Sequence, residues 1–289
     1  GMPFYVFNYK DEFRSMVMDK FAQCYEMGAT PNPCIDCNNH LKFGKLHERA
    51  EVLGCDYVVT GHYARIGQDA AGKYVLKKAL DESKDQSYVL WSLSQEQLSR
   101  TLLPLGSLTK AQVREIARSR GFENADKSDS QDICFVPDGD YAGFIERYTN
   151  KTYPAGDFVD MDGNALGKHR GIIRYTTGQR KGLGLALPAP MYVYKKDIET
   201  NRVILCKNDL LFSDVLYARD FNWVAFTPDK PFTANVKVRY KAKEAPATVI
   251  PLDDGRVKVE FFQPQRAITP GQAAVVYIGD TLIGGGQIE

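Results

Sequence analysis

The sequence predicts an α/β domain with a doubly wound sheet, followed by a β-rich half that ends in a small barrel. Three observations predict it. Before about residue 150, apolar residues recur at helical spacing between short β-branched runs. Beyond that point helical spacing fades, and glycine, proline and β-branched residues dominate up to Glu289. Within the last stretch, "NVKVRYKAK" (235–243) alternates strictly, and "VKVEFF" and "AAVVYIG" read as further short strands.

The elements follow in order. "MPFYVFNY" is expected to be a strand, being short, aromatic and β-branched. "DEFRSMVMDKFAQCYEMG" is expected to be a helix, with Phe13, Met16, Val17, Phe21 and Tyr25 on one side and Gly28 as its stop. The prolines of "TPNP" bar helix and hold an extended turn. "NNHLKFGKLHERAEVLG" is a second amphipathic helix, and "CDYVVTGHYARI" is a strand running into a glycine turn. In "LTKAQVREIARSRGF", Thr109 caps a helix, Gln112 completes a capping box and Gly121 stops it. Three units are expected: 1–148, 149–212 and 213–289.

The bulk numbers exclude several classes. At 289 residues the chain holds two or three domains, and 44% hydrophobic with 25% charged residues is ordinary for a soluble globular protein. A net charge of +1 excludes a polycation, so any nucleic-acid binding needs local patches. No run approaches the ~18 apolar residues of a membrane-spanning helix. The N-terminus lacks the pattern of a signal peptide. Six cysteines are too sparse for a secreted disulfide scaffold. The cytoplasm is the expected compartment.

Cys34 and Cys37 form a CxxC with no second CxxC to close a structural zinc tetrahedron. Cys134, in "SDSQDICFV", is the next candidate. Three thiolates with an open fourth position suit a catalytic metal or an iron–sulfur cluster. A redox pair, one thiol attacking and another resolving, fits equally. Small buried hydrophobes are the plain alternative, and for Cys24, Cys55 and Cys206, within apolar periodic segments, that alternative is favoured. "TGHYAR" ends a strand, where α/β sheets hold ligands: Gly61 lets a nucleotide approach the backbone and His62 can face it. Lys84, Asp85, Gln86 and Ser87 read, taken alone, as a solvated loop. Between Gly163 and Lys196 there is no acid, while Lys168, Arg170, Arg174, Arg180, Lys181, Lys195 and Lys196 are all cationic. The strand 235–243 puts Lys237, Arg239, Lys241 and Lys243 on one face. Two cationic elements point to a folded RNA rather than DNA.

"TPNPCIDCNNHLKF", "DYVVTGHYAR", "KDQSYVL", "SDSQDICFV", "GIIRYTTGQRKGLG", "VKVRY", "ITPGQAAVVY" and "IGGGQIE" together resemble the tRNA-specific 2-thiouridylases, in that family's order across nearly the whole chain. The resemblance implies an α/β PP-loop-type (adenine nucleotide alpha hydrolase-like) domain, a small central β-rich domain and a C-terminal β-barrel. It implies that ATP with Mg2+ adenylates the C2 oxygen of the wobble uridine of tRNA. A cysteine persulfide then delivers sulfur, and a second cysteine releases it through a disulfide. Cys134 resembles the persulfide cysteine and Cys37 its partner. Asn32, Pro33 and Cys34 align with the segment that meets the target base. Gly61 resembles an ATP contact. His62, Lys84, Asp85, Gln86, Arg239, Tyr240 and Gln272 resemble tRNA contacts. The implied partners are tRNA and a sulfur donor, either a cysteine desulfurase or a sulfur carrier, with no DNA and no membrane.

The sequence departs from that family twice. Some members carry aspartate where Cys34 stands, so a [4Fe–4S] cluster on Cys34, Cys37 and Cys134, its fourth iron binding sulfide, is the competing expectation. The family's SGGVDSS-type pyrophosphate loop does not occur in these 289 residues. The chain is therefore expected to be N-terminally truncated, to bind ATP poorly, to be inactive alone and to expose apolar surface. A non-catalytic tRNA-binding module is the alternative function, and a tRNA methyltransferase is disfavoured because no glycine-rich methyl-donor loop follows a strand.

Overall fold

The computed structural model describes residues 2–127 and 132–289. In the first domain, α1 (Lys10–Phe13) runs through a π-helical turn (Arg14–Met18) into α2 (Asp19–Glu26). After the proline loop, α3 (Pro33–Asp36) runs through a second π-helical stretch (Cys37–Lys45) into α4 (Leu46–Val52). β1 (Val58–Val59) pairs in parallel with β4 (Thr101–Leu102). Between them, the hairpin of β2 (Ala64–Gln68) and β3 (Tyr74–Lys78) leaves the domain. Short helices α5 (Gln95–Ser99) and α6 (Lys110–Ser119) follow, and α7 (Tyr141–Thr149) leads into the middle domain. The α6 start is as expected: the Thr109 hydroxyl accepts from the Gln112 N–H, and the Gln112 side chain accepts from the Thr109 N–H.

The middle domain is a four-stranded sheet in the order β6–β5–β8–β7. Its strands are β5 (Gly156–Val159), β6 (Ala165–His169), β7 (Tyr192–Asp197) and β8 (Arg202–Cys206). The last domain is a closed six-stranded barrel of β9 (Phe212–Trp223), β10 (Phe232–Lys237), β11 (Ala245–Pro251), β12 (Val257–Arg266), β13 (Ala273–Ile278) and β14 (Thr281–Ile288). Its order is β13–β10–β11–β12–β9–β14, and β13 pairs with β14 to close it. β3 adds to β14 through Leu76↔Leu282 and Lys77↔Thr281, so the first domain is stitched to the barrel by backbone.

Three cores hold these parts. One fills the barrel around Ala247, Val249, Val259 and Val276. A second lies between first domain and barrel, where Tyr88, Leu76 and Leu90 meet Val275, Tyr277 and Leu282. A third joins α2 and α7 to the middle sheet through Phe21, Ile145, Phe158 and Leu205. Each buried Val, Leu, Ile or Phe among them stabilises the fold by roughly 1.5–3 kcal/mol. Because two of the cores straddle domain boundaries, the domains share their stability. Gly285 shows how close the barrel comes: a Cβ there would sit 2.7 Å from Cγ of Trp91.

The structure corrects four expectations. Residues 2–9 form no strand; Met2, Phe4, Tyr5 and Val6 are exposed and pair with no strand among the described residues. Helix is not barred at "TPNP": Pro33 is the first residue of α3, where its missing N–H costs nothing, and Asn32 caps it. The strand 235–243 stops at Lys237, because the chain then turns to carry Arg239 inward. Cys55 is exposed, unlike Cys24 and Cys206, because it lies beyond the end of α4. Val59, Leu102, Tyr57, Ile116 and Phe122 are further exposed apolar residues.

Candidate active site

The site is organised by the start of α3. The Asn32 side-chain oxygen accepts from the Cys34 N–H at 3.2 Å, and buried Pro33 fixes the first turn. Cys34 and Cys37 are therefore one helical turn apart on the same side. Cys34 is exposed and Cys37 half-buried. Asn38 anchors the helix behind them, its Nδ2 donating to the Val89 carbonyl at 3.2 Å.

Cys134 reaches this place from far along the chain. Its neighbour Phe135 is packed between helices, with ring centroids 5.3 Å from Phe21, 5.6 Å from Phe13 and 5.2 Å from Phe144. The Asp132 carboxylate accepts from the Ile133 N–H and the Tyr141 hydroxyl, which closes the turn. Cys134 itself stays exposed. Its charge raises the thiol pKa of both Cys34 and Cys37, so the three sulfurs share one electrostatic neighbourhood. Residues 128–131 of its motif lie outside the described residues.

Cys34 lies at the surface, but neighbouring atoms crowd its sulfur as they do that of Cys37, and this loss of water is the largest influence on both thiols and pushes them up. The opposing influence is Lys42, whose ammonium pulls both down. The sequence reading missed Lys42. The available signal was a cation five residues after Cys37 on a helix that also carries Cys34. Among the described residues no group of three His, Cys, Asp or Glu side chains is arranged to hold a metal ion.

Gly61 follows β1 at its C-terminal end, and a Cβ there would touch only Leu105 at 3.6 Å, so its backbone stands open to a ligand. His62 is buried, 7% exposed. Its Nδ1 lies 2.8 Å from the Thr60 hydroxyl and its ring 5.6 Å from Phe43. Burial, with Lys42 nearby, pulls its pKa down to about 4, so it is neutral at physiological pH.

The remaining expected contacts hold the protein together. Asp85 accepts from the N–H groups of Ala79 and Ser87 and from the Ser87 hydroxyl. The Gln86 side chain accepts from the Tyr63 N–H at 2.9 Å. Lys84 ends a 3-10 turn just before them. The Arg239 Nη2 donates to the carbonyls of Thr177 and Ala267 and to the Thr269 hydroxyl, tying the middle domain to the barrel. Tyr240 stands 5.9 Å from Tyr88, with Lys237 over both rings. Gln272 Nε2 donates to the Thr30 carbonyl at 2.8 Å, tying the barrel to the proline loop.

The cationic span keeps part of its charge free. Lys168 pairs with Asp157 at 2.7 Å and Arg174 with Glu146 at 2.7 Å. Lys196 faces inward over the Tyr25 ring, and burial pulls its pKa down to about 8. Arg170, Arg180, Lys181 and Lys195 are exposed, with no ion pair among the described residues.

Comparison with known proteins agrees with this architecture. Residues 1–138 match the tRNA methyl transferase HUP domain, residues 142–207 the tRNA methyl transferase PRC-barrel domain, and residues 213–288 the aminomethyltransferase beta-barrel domain. The chain is 49% identical over 288 residues to the tRNA-specific 2-thiouridylase MnmA of Geotalea uraniireducens, covering 100% of this chain and 77% of that protein. It is 50% identical over 291 residues to that of Acetivibrio thermocellus, covering 100% and 81%. It is 47% identical over 291 residues to that of Clostridioides difficile, again covering 100% and 81%. No helix among the described residues is long and apolar enough to cross a membrane.

Proposed function

This chain belongs to the family of tRNA-specific 2-thiouridylases, and from that premise we propose that it takes part in replacing the C2 oxygen of the wobble uridine of tRNA with sulfur. The observation that carries the reading is that Cys134, from the far end of the first domain, lies near enough to Cys34 and Cys37 for its charge to raise both thiols. One pair of thiols close in space and one exposed sulfur are what a persulfide route needs.

ATP with Mg2+ supplies activation of the C2 oxygen as an adenylate, and Gly61 offers the open backbone beside it. The chain's own thiols do the rest. Cys134, loaded as a persulfide by a cysteine desulfurase or a sulfur carrier, attacks C2 with its terminal sulfur, and AMP leaves with the oxygen. The Cys37 thiolate then attacks Cys134 Sγ. The S–S bond to the base breaks, the thiocarbonyl remains on the uridine, and a Cys37–Cys134 disulfide forms. An external dithiol returns the two electrons. Lys42 favours the Cys37 thiolate, and His62, neutral at physiological pH, adds no second positive charge to that support. Asn32 and Pro33 place the base-facing turn. Cys34 is off the sulfur path. Arg239, Asp85, Gln86 and Gln272 act by holding the loops that meet the tRNA, and Lys84 and Tyr240 flank them. No step is routed through an iron–sulfur cluster.

The test is nucleoside mass spectrometry of a substrate tRNA after incubation with ATP, a persulfide source and this chain, alone and joined to the family's pyrophosphate-loop segment. Thiolation lost in Cys37→Ser and Cys134→Ser but kept in Cys34→Ser supports the reading. Loss in all three variants, with iron and sulfide bound after anaerobic purification, would replace it with the cluster route. Salt-sensitive tRNA binding without any thiolation would make these residues a binding module.

A further inference from the structure

Cys34 stands one helical turn before Cys37, and the sulfur path does not use it. Its place is nonetheless well built. Asn32 caps the turn, Pro33 is buried, and the Ile35 N–H donates to the Asn32 carbonyl at 3.1 Å. The two residues between the cysteines are engaged elsewhere. Ile35 packs against the core shared by the first domain and the barrel, and Asp36 pairs with Lys20 at 3.2 Å. Side chains three apart on a helix have Cβ atoms about 5–6 Å apart. A disulfide asks for about 3.5–4.5 Å between Cβ atoms and about 4.4–6.8 Å between Cα atoms. A small adjustment of the first turn therefore joins Cys34 to Cys37.

Cys37 thus has a thiol on two sides. Next to the loss of water, Cys37 is the largest influence on the Cys34 thiol, and Cys134 follows it. Cys37 feels Cys134 in turn. Access differs among the three: Cys34 and Cys134 are exposed, whereas Cys37 is half-buried. A Cys37–Cys134 disulfide therefore keeps an exposed thiol, fixed on the same helix, beside its less accessible sulfur. Held in place, that thiol acts at an effective concentration far above that of a free one.

We propose that Cys34 resolves the Cys37–Cys134 disulfide by thiol–disulfide exchange, moving the oxidation onto the CxxC pair and returning Cys134 as a free thiol. The inference rests on the persulfide route proposed above. The Cys34 thiolate attacks Cys37 Sγ and the Cys37–Cys134 bond breaks. Cys134 leaves as a thiolate and takes up the proton that Cys34 released. No electron is gained or lost in this step. The external dithiol then reduces Cys34–Cys37, entering at exposed Cys34. Loading and reduction are thereby separated: Cys134 is open to a new sulfur while the electrons return at the helix. A chain with aspartate in place of Cys34 lacks this relay and is reduced at Cys37–Cys134 directly.

The experiment oxidises the reduced chain with equimolar diamide, without tRNA or ATP, in a Cys55→Ser background because Cys55 is also exposed. Timed samples are quenched, their free thiols are labelled with N-ethylmaleimide, and the disulfides are mapped by mass spectrometry. A Cys37–Cys134 pair should appear first. It should then decay as Cys34–Cys37 and labelled Cys134 rise, at a rate independent of protein concentration. Cys34→Ser and Cys34→Asp should stop at Cys37–Cys134, with the melting temperature of the reduced protein unchanged because Cys34 is exposed. Reduced thioredoxin, a bulky dithiol, should then reduce the oxidised parent about tenfold faster than either variant, while dithiothreitol separates them less. A Cys37–Cys134 pair that persists in the parent beside labelled Cys34 would overturn the proposal. So would Cys34–Cys37 formed with no preceding Cys37–Cys134 pair, or exchange whose rate scales with protein concentration. A chain that exchanges as expected yet never thiolates tRNA would sink the proposed activity and leave the relay standing. Thiolation with a persistent Cys37–Cys134 pair would do the reverse.

Discussion

Gln272 and Thr30 are joined by a hydrogen bond of 2.8 Å that links the barrel to the loop preceding the cysteine helix. The link is doubled, because the Thr30 N–H donates to the Pro270 carbonyl at 2.9 Å. Gly271 between them has φ +88°, and a Cβ there would press on Cys24 Sγ and the Thr30 nitrogen at 3.0 and 3.1 Å. The barrel thus sets the position of Asn32 and of the thiols beyond it.

Gln272→Ala is expected to cost about 1 kcal/mol of stability. It should also slow closure of the Cys37–Cys134 disulfide on mild oxidation in the absence of tRNA. Timed thiol trapping with mass spectrometry reads this. If Gln272 served only as a tRNA contact, closure without tRNA would be unchanged.

Lys42 and Cys37 make a second prediction. Burial holds the Cys37 thiol above its ordinary range and Lys42 alone among its neighbouring charges works against that, while Cys134 and Asp36 add to it. Lys42→Met removes the cation, so the pKa should rise further and the thiolate fraction near pH 8 should fall. Iodoacetamide labelling of Cys37 at that pH should slow by about two- to fivefold. The labelling profile should move to higher pH; a shift to lower pH, or none, refutes the role given to Lys42.

The histidines predict acid sensitivity. His62 is held down at about 4, against an ordinary value near 6.5, because its burial disfavours the charged ring. The unfolded chain therefore binds a proton that the folded chain refuses between those two values. Stability is complete above pH 6.5 and falls as pH drops toward 4, by roughly 3 kcal/mol for this one residue. His40, His47 and His169 are lowered as well and act in the same direction. Urea unfolding at pH 7.5 and pH 5 should show the loss, and His62→Gln should remove the largest part of it.

Several of these features were legible in the sequence, and the reasons differ. The helices of 10–26 and 110–119 follow local rules of spacing and capping, which one segment carries alone. The closed barrel announces itself in alternating strands between turns. The α3 start is hidden where proline counts only as a helix breaker, because Asn32 before Pro33 is an N-cap followed by a favoured first residue. The role of Arg239 was hidden because alternation assigns a face only while the strand lasts, and β10 ends two residues earlier. Cys134 near Cys37 was recoverable only from family resemblance. Their meeting depends on Phe135 docking between distant helices, a tertiary event without a local signature.

Arg239 allows its structural role to be separated from a phosphate contact. Its Nη2 group satisfies the Thr177 and Ala267 carbonyls from within, so Arg239→Ala leaves acceptors unpaired and should cost roughly 2–3 kcal/mol. Arg239→Lys should recover little, since an ammonium lacks the planar fork that spans these acceptors. Arg180, by contrast, is exposed with no ion pair among the described residues. Each phosphate contact contributes about 0.9 to the slope of log K against log salt on duplex and about 0.7 on single strands. Arg180→Ala should flatten the slope for tRNA binding by about that amount while leaving the melting temperature in place. Arg239→Ala should lower the melting temperature and weaken binding with the slope preserved, because the guanidinium it removes was never neutralising a phosphate. A flattened slope in Arg239→Ala, at temperatures where the variant is fully folded, would return Arg239 to the RNA-contacting surface.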